Sequence, residues 1–541
     1  MLPRRGVRFA VASRFALVAG YVGLAGLGVL LAWPALGADF PPGVDTPTFL
    51  HLSWVTRLAL TGRLPNPLLD PFWYGGAFPY LQSYPPLAYG LVGGVSAFTG
   101  VDFLVVYRWV MVLAYLGTAC ATVWVGREMG LAHWSALLAG GLVLLSYPML
   151  AALALWGWFT SIAAMPFVLL GYGLLERGMR QGKAGWAALG GLCFGLGALA
   201  HHMTALAVGM ALVPWAIYHL VRGLYRWNFL KVLGVFISVT LLTTAPWGLP
   251  FLAHALEVGF RRDIPGVWTF PLATYAWRAI SPYYIGRYIY PSYLGSSVVF
   301  FALFGVVYSF AEGRRLPGVA LIVLALTWFS LGVAGNPLYR FYPFSGLDVA
   351  RFSLFMAPFL ALLASAVVDS LAKGVEVRRF PVKGALVGLA LVALVALPVR
   401  DAWAFHGKVR PYLVEQGVRE AMAWLARETK DGERVFGAGM WFWDTFLIPY
   451  LAQRPIVHGW HDEGAPTWRE VRSLRYATWF GQGSAEGVYA TLHGLGARYV
   501  VVGEGLFSPE MVTLFRGMLE SRPDLFPLLE EWDKVRIYGV R

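Results

Sequence analysis

The sequence predicts a polytopic α-helical membrane protein that ends in a small external α/β domain. Hydrophobic residues make up 58% of its 541 residues and charged residues only 13%, about half the share found in soluble globular chains. Mean hydropathy is +0.59. The charged residues concentrate in short connections between apolar segments and in residues 400–541. This composition excludes a disordered chain, a fibrous repeat protein and an ordinary cytosolic enzyme.

About eleven stretches are long and apolar enough to cross a membrane, which takes about 20 residues in a helix. These stretches are 15–37, 102–126, 134–150, 158–175, 185–201, 203–221, 231–252, 293–311, 317–335, 351–371 and 382–399. Residues 86–99 are also apolar, but they are short and rich in glycine. They either cross the membrane or lie in its interface.

The distribution of basic residues distinguishes these alternatives, because Lys and Arg accumulate in cytoplasmic loops. If the arginine-rich N-terminus is cytoplasmic and 86–99 does not cross, every second connection is basic. The residues concerned are Arg127; Arg177, Arg180 and Lys183; Arg222, Arg226 and Lys231; Arg314 and Arg315; Lys373, Arg378, Arg379 and Lys383. We therefore predict a transmembrane domain over 1–399 in the cytoplasmic membrane, with a cytoplasmic N-terminus. Its long external loops are 38–101, 253–292 and 336–350, and 400–541 forms an external domain.

Charge is divided unevenly between these two parts. Residues 1–399 hold 26 Lys and Arg but 12 Asp and Glu, whereas 400–541 hold 17 and 18. A basic membrane part beside a near-neutral tail argues against nucleic acid as a partner. It favours an anionic membrane surface and an anionic lipid substrate.

The tail has the pattern of a small α/β domain. Residues 413–428 have helical periodicity, and 433–438, 455–458 and 498–502 are typical of short strands. A helix is predicted to begin at Ser508-Pro509, with serine as N-cap and proline at the first helical position. Residues 526–530 and 534–538 are predicted to pair as a hairpin.

Asp45 is the strongest candidate for a catalytic residue. It follows the first helix in Gly43-Val44-Asp45-Thr46-Pro47, before an amphipathic stretch over 49–60 and an aromatic, proline-rich run. A carboxylate at the lipid–water boundary can accept a proton from an acceptor hydroxyl. The alternative is that Asp45 only caps the helix, because Asp before Thr-Pro is a helix start signal.

This loop resembles that of GT-C membrane glycosyltransferases, which use polyprenyl-phosphate-linked sugars. The likeness rests on the aspartate after the first helix, the interfacial helix, Gly62-Arg63-Leu64-Pro65 and Tyr84-Pro85-Pro86-Leu87. The chain is similar to bacterial and archaeal membrane proteins labelled as related to 6-pyruvoyl-tetrahydropterin synthase, and more distantly to protein mannosyltransferases and aminoarabinose transferases. Similar sequences often carry two adjacent acids here, whereas this chain has Asp39 and Asp45, six residues apart. The resemblance thus leaves open which acid is the base and whether a metal takes part.

Two further groups of residues are candidates for binding. His201 and His202, at the outer end of the fifth predicted helix, either bind a divalent ion or a phosphate or cap the helical hairpin. Arginine suits bidentate phosphate binding. Among external arginines, we predict donor-phosphate contact for Arg340 and Arg351, with Arg261 and Arg262 as the next candidates. Asp39 and His51 join the histidines as possible substrate or metal ligands.

Aromatic clusters on the outer side are typical of the interfacial belt of membrane proteins, with a sugar platform as the alternative. One cluster is Trp156-Gly157-Trp158, and another is Trp441-Phe442-Trp443. Nearby, His458, His461, Asp462 and Glu463 have the composition of a metal site. Their spacing matches no standard site, and they are predicted to form a solvated loop.

The function that these residues and the resemblance imply is a membrane glycosyltransferase of the inverting kind, in which a single displacement transfers the sugar. The donor is a polyprenyl-phosphate sugar, the acceptor is a lipid, glycan or protein hydroxyl outside the cytoplasmic membrane, and Asp45 is the general base. No cofactor follows from the residues, and a divalent cation (Mg or Mn) stays open. The alternatives are a lipid or glycan transporter and a non-catalytic scaffold for envelope assembly.

Overall fold

A computed structural model gives the fold of the protein. It describes residues 5–37, 39–76, 78–222, 226–258, 272–282, 284–285, 288–289, 292–312, 316–331, 336–340, 351–373, 381–409, 412–440, 443–459, 465, 467–503 and 509–541.

Most of the described chain is helical. The helices are α1 (Arg5–Leu36), α2 (Thr46–Leu60), α3 (Tyr80–Ser83), α4 (Leu87–Thr99), α5 (Phe103–Glu128), α6 (His133–Leu145), α7 (Tyr147–Ala154), α8 (Phe159–Gln181), α9 (Ala184–Ala200), α10 (His202–Val221), α11 (Arg226–Val258), α12 (Leu272–Ile280), α13 (Ser296–Glu312), α14 (Leu316–Ser330), α15 (Phe352–Lys373), α16 (Pro381–His406), α17 (Gln416–Glu428), α18 (Asp444–Leu447), α19 (Trp468–Phe480), α20 (Ala485–Gly494) and α21 (Pro509–Glu520). A 3-10 turn covers Pro337–Arg340 and a π-helical turn covers Ile448–Ala452.

Six strands complete the described elements. They are β1 (Tyr284–Ile285), β2 (Tyr288–Ile289), β3 (Arg434–Ala438), β4 (Ala497–Gly503), β5 (Leu528–Trp532) and β6 (Val535–Gly539). The first two form a two-stranded antiparallel ribbon, and the other four form one sheet in the order β3-β4-β6-β5.

Every stretch predicted to cross the membrane contains a helix, but the count of eleven is not confirmed. Among the described residues, seven helices are long and apolar enough to span, or eight if α6 and α7, bent by 45° at their junction, make one span. The predicted stretches 185–201, 293–311 and 317–335 correspond to the shorter helices α9, α13 and α14. Helix α4 has 13 residues and extends about 20 Å, less than the roughly 30 Å of a bilayer core. The topology in which 86–99 does not cross stays a prediction.

The chain divides into two compact units, and the first contains most of the long helices. It consists of residues 1–37, 108–246 and 262–410. Helices α8 and α15 are its interior, since 83% of each apolar span is buried, against 22% for α16. Helices α8 and α9 approach closely at two glycines: a Cβ on Gly171 or on Gly190 would lie 3.0 Å from the other's carbonyl oxygen. Small residues of this kind allow the close helix packing that holds membrane proteins together.

The second unit combines the first loop with the C-terminal residues. It consists of residues 38–107, 247–261 and 411–541. Phe40 packs against Trp443 and Phe446, with ring centroids 5.5 and 5.4 Å apart. The indole Nε1 of Trp73 donates to the Thr445 carbonyl at 2.9 Å. The predicted transmembrane domain, 1–399, and the predicted external domain, 400–541, were defined by the side of the membrane on which they lie. That division stays a prediction.

The sheet of the second unit follows the sequence pattern with one exception. β3 and β4 run parallel, as crossover strands do, and β6 pairs antiparallel with both β4 and β5. The predicted helix at 413–428 and the closing hairpin are confirmed as α17 and as β5 with β6. The strand predicted at 455–458 is wrong, because only one bridge forms, between Val435 and Ile456. Residues of the first loop take up the other bonds there: the Ile456 amide donates to the Phe72 carbonyl at 2.6 Å.

Candidate active site

Asp45 immediately precedes α2 and is buried, with 5% of its surface exposed. Pro47 in the first turn favours a helix start at this point. The Asp45 side chain makes no capping hydrogen bond to the helix, so the capping alternative lacks the contact it requires. The Thr46 hydroxyl instead donates to the Pro42 carbonyl at 2.8 Å. The start of a helix carries partial positive charge, which favours a negatively charged side chain there.

Asp39 has a different environment. Its carboxylate accepts hydrogen bonds from the Arg419 guanidinium and from the Val414 amide, the latter at 3.3 Å. The side chain is 39% exposed. Asp39 therefore fastens the start of the first loop to the segment at the beginning of α17.

His51 is fully buried and paired with a carboxylate. Its Nε2 lies 2.7 Å from Asp70 Oδ2, and both side chains have no exposed surface. Asp70 Oδ1 also accepts from the Phe72 amide at 2.9 Å, and the imidazole stacks on Trp73 with centroids 4.4 Å apart. Through these contacts His51 stabilises the loop that follows α2.

Burial raises the pKa of the neighbouring Tyr80 to about 12, and the negative charge of Asp70 contributes to the same increase.

His201, Ser161 and Arg351 come together in the first unit. His201 Nδ1 lies 3.3 Å from the Ser161 hydroxyl, and Arg351 Nη1 lies 3.3 Å from His201 Nε2 and 3.4 Å from Ser161 Oγ. The Arg351 guanidinium also sits over the ring of Trp158, 5.1 Å from its centroid. These residues belong to the start of α8, the α9–α10 turn and the start of α15. We call them the His201–Arg351 cluster.

Hydrogen bonds hold the His201 ring in this cluster. The Thr204 amide donates to His201 Nδ1 at 3.2 Å, which confirms that His201 caps α10, and the Thr204 hydroxyl lies 2.7 Å from the same nitrogen. A neutral imidazole carries one proton, so the tautomer decides whether Nε2 accepts from Arg351 Nη1. The Arg351 guanidinium has only donors, and phosphate oxygens are acceptors that arginine can bond in pairs.

The other predicted binding residues are placed only in part. Arg261 and Arg262 lie outside the described residues. Arg340 ends the turn Pro337–Arg340, and its side chain lies outside the described part. His202 is half-buried, with its ring centroid 5.9 Å from that of His201.

Sequence reasoning missed Ser161 and placed Trp158 in the aromatic belt, with a sugar platform as the alternative. The available signal was the position of both residues at the start of α8, in Trp158-Phe159-Thr160-Ser161, directly after a glycine turn. The predicted solvated loop is wrong for His458, which is 4% exposed and paired with Asp444. His461, Asp462 and Glu463 lie outside the described residues. Among the described residues, no three His, Cys, Asp or Glu side chains form a group that could hold a metal ion.

A family model described as a 6-pyruvoyl-tetrahydropterin synthase related domain of membrane proteins matches residues 81–406. No curated protein sequence matches the chain.

Three solved membrane glycosyltransferase structures show the same fold at low sequence identity. The chain covers 98% of ArnT from Cupriavidus metallidurans with 96% of its own length, at 14% identity and a TM-score of 0.58. For the archaeal oligosaccharyltransferase AglB from Archaeoglobus fulgidus, in complex with an inhibitory peptide and a dolichol-phosphate, coverage is 90% of this chain and 69% of that one, at 14% identity and a TM-score of 0.53. Arabinofuranosyltransferase AftD from Mycobacteria is 18% identical with a TM-score of 0.62, over 96% of this chain and 41% of that one. The predicted GT-C-like fold class is confirmed.

Proposed function

Because the chain belongs to the 6-pyruvoyl-tetrahydropterin synthase related family of membrane proteins, we propose that it is a glycosyltransferase with a lipid-linked donor. It moves a sugar from a polyprenyl-phosphate donor to an acceptor hydroxyl on the outer face of the cytoplasmic membrane. The GT-C-like fold supports this proposal. The observation that carries it is the His201–Arg351 cluster, in which a guanidinium and an imidazole lie 3.3 Å apart, because these two groups suit a phosphate.

The donor phosphate binds at this cluster. Arg351 supplies a charged planar donor with the His201 imidazole beside it, and the guanidinium lies over the ring of Trp158. When the bond between the sugar and the phosphate breaks, negative charge grows on the departing phosphate. Donors fixed before the reaction stabilise that charge most effectively.

Asp45 accepts the proton. The acceptor oxygen forms a bond to the anomeric carbon, the bond from that carbon to the phosphate oxygen breaks, and the hydroxyl proton passes to the Asp45 carboxylate. The products are the glycosylated acceptor and polyprenyl phosphate, and one displacement inverts the anomeric centre. A requirement for Mg or Mn stays a proposal that chelation with EDTA tests.

The proposed membrane topology places the chemistry outside. The N-terminus is cytoplasmic and residues 400–541 are external, so the donor enters from the outer leaflet. Alkaline phosphatase fused after Arg541 is expected to be active, since this reporter requires an external position. Activity of a cytoplasmic reporter at that position would instead reverse the proposed orientation.

The deciding experiment is Asp45→Asn in the full-length protein, with release of polyprenyl phosphate from a panel of polyprenyl-phosphate hexoses and pentoses as the measurement. Asparagine ranks with aspartate as a helix cap but cannot accept the proton, and loss of a general base costs about 10²–10⁴-fold in rate. Asp39→Asn is the matched control and is expected to be milder, because Asp39 is held by Arg419. Equal losses in both variants would indicate that the two acids act together. Wild-type rates in Asp45→Asn would favour the transporter or scaffold alternatives.

A further inference from the structure

The second unit contains a small pocket that the proposed chemistry does not use. It lies at the carboxyl end of β3, and about 20 Å³ of it is open to a water-sized group, about the space of one water molecule or one hydroxyl group. Ligands of α/β sheets bind outside the carboxyl ends of parallel strands, and β3 runs parallel to β4. The pocket is lined by Phe436, Gly437, Ala438, Gly439, Asp444, Thr445, His458, Arg475, Thr478 and Trp479.

A buried Asp–His pair forms the polar side of this pocket. His458 Nε2 lies 2.8 Å from Asp444 Oδ2, and the side chains are 5% and 6% exposed. Asp444 Oδ1 also accepts from the Thr445 amide at 3.0 Å. His458 Nδ1 is buried and has no hydrogen-bond partner within the described parts of the chain. A buried nitrogen without a partner costs about 1–3 kcal/mol, so a ligand hydroxyl that bonds it is favoured.

Two glycines allow the Asp444–His458 pair to pack closely against β3. A Cβ on Gly437 would lie 2.5 Å from the Cβ of Asp444, so only glycine lets this aspartate approach β3 so closely. Gly439 has φ of +83°, and a Cβ there would lie 2.2 Å from the Gly503 carbonyl oxygen. The backbone is thus shaped around the Asp444–His458 pair.

We propose that this pocket binds a carbohydrate through one of its hydroxyl groups. The Asp444–His458 pair supplies an acceptor and an imidazole nitrogen for that hydroxyl. Trp479, half-buried on α19, lines the pocket with the Arg475 guanidinium 6.0 Å from its ring centroid, and it is the aromatic side chain against which the sugar ring would pack. Arg475 donates to the Gly459 carbonyl and holds the chain beside His458. A hydroxyl fits the available space, whereas a whole sugar ring does not and stays at the rim.

The pocket is connected through packing to the helix that Asp45 begins. Helix α18, which starts at Asp444, packs against α2. The Thr445 carbonyl accepts from the Trp73 indole, and Trp73 stacks on His51 of α2. In a transferase of the kind proposed above, the bound carbohydrate would be the acceptor glycan, and this assignment alone rests on the proposed function.

Saturation-transfer NMR on the full-length protein tests the proposal. The probes are methyl α-D-mannopyranoside, methyl α-D-glucopyranoside and methyl β-D-galactopyranoside, and the protein is held in lipid nanodiscs so that no sugar-based detergent competes. At least one glycoside is expected to bind the wild-type protein. Trp479→Ala and Asp444→Asn should each weaken that binding at least about tenfold, as expected for loss of a ring platform or a charged acceptor.

Matched controls separate the pocket from general damage. Phe480→Ala removes the neighbouring aromatic ring of the same helix, which is 53% exposed and does not line the pocket. Asp524→Asn removes an exposed carboxylate elsewhere in the unit. Both should bind like the wild type. Binding without transfer in the wild type would refute the proposed function and leave the pocket standing.

Absence of binding for all three glycosides, or equal binding in Trp479→Ala, would overturn the carbohydrate proposal. If Asp444→Asn unfolds, Trp479→Ala still decides, because its side chain lies at the rim.

Discussion

Replacing Arg351 by alanine should weaken binding of a polyprenyl phosphate by about 10- to 150-fold. The guanidinium lies 3.3 Å from His201 Nε2 and 3.4 Å from Ser161 Oγ, and in the proposed site it donates to a phosphate oxygen. A hydrogen bond to a charged group contributes about 1.5–3 kcal/mol, which corresponds to that range of affinity. Arg351→Lys should give an intermediate loss, because lysine keeps the charge but not the planar pair of donors.

The assay is native mass spectrometry of the full-length protein titrated with undecaprenyl phosphate. Undecaprenol, which has the same tail without the phosphate, is the control ligand. The wild-type protein should prefer the phosphate, and Arg351→Ala should lose most of that preference while its binding of undecaprenol stays the same. Ser161→Ala should lose less, about 2- to 12-fold, because a neutral hydrogen bond contributes about 0.5–1.5 kcal/mol.

Two results would refute the reasoning. Equal affinity of the wild type for undecaprenol and its phosphate would show that no phosphate site exists. An unchanged preference in Arg351→Ala would move the site elsewhere, with Arg261 or Arg262 as the next candidates.

Three predictions concern the second unit. Because burial raises the pKa of Tyr80 from 10.0 to about 12, the folded state keeps a proton that the unfolded chain releases. Stability should therefore fall between about pH 10 and pH 12, by up to about 3 kcal/mol, and thermal melts of Tyr80→Phe should show a flatter decline. Gly437→Ala should destabilise by about 1–3 kcal/mol and abolish glycoside binding, because the added methyl displaces Asp444; normal binding would contradict the pocket geometry. Asp70→Ala should cost about 2–6 kcal/mol in thermal unfolding, since it leaves His51 and one amide buried without an acceptor. Asp70→Asn keeps one acceptor oxygen, so an equal loss there would contradict this account.

The sequence predicted the membrane part well because the signal is local and additive. A segment such as 351–371 enters a bilayer through the summed transfer free energy of its own side chains, and it appears as α15. The tail strands β3 and β4 were visible for a similar reason, since β-branched residues in short runs favour strands. The exact span count was less secure, because α13 and α14 are shorter than the apolar stretches that predicted them, and α9 has only 17 residues.

The sequence identified candidate residues by their chemical type and position, but it predicted only some of the contacts that these residues make. Asp45 was singled out from its place after the first helix, and its burial without a capping bond is a finding of the structure. Asp39 was a possible partner of Asp45 in sequence, yet its side chain bonds Arg419, 380 residues away. No local pattern contains information about such a partner.

The amino-acid sequence alone specifies a membrane protein of many helices with an α/β tail, and it shows which types of side chain lie on the predicted outer side. Which of these side chains contact each other depends on the tertiary structure. Arg351 reaches His201 across 150 residues of chain and Ser161 across 190, while Asp444 and His458 meet because Gly437 admits the aspartate to the strand. The physical reason is that insertion and helix formation depend on each segment separately, whereas a site depends on how distant segments pack.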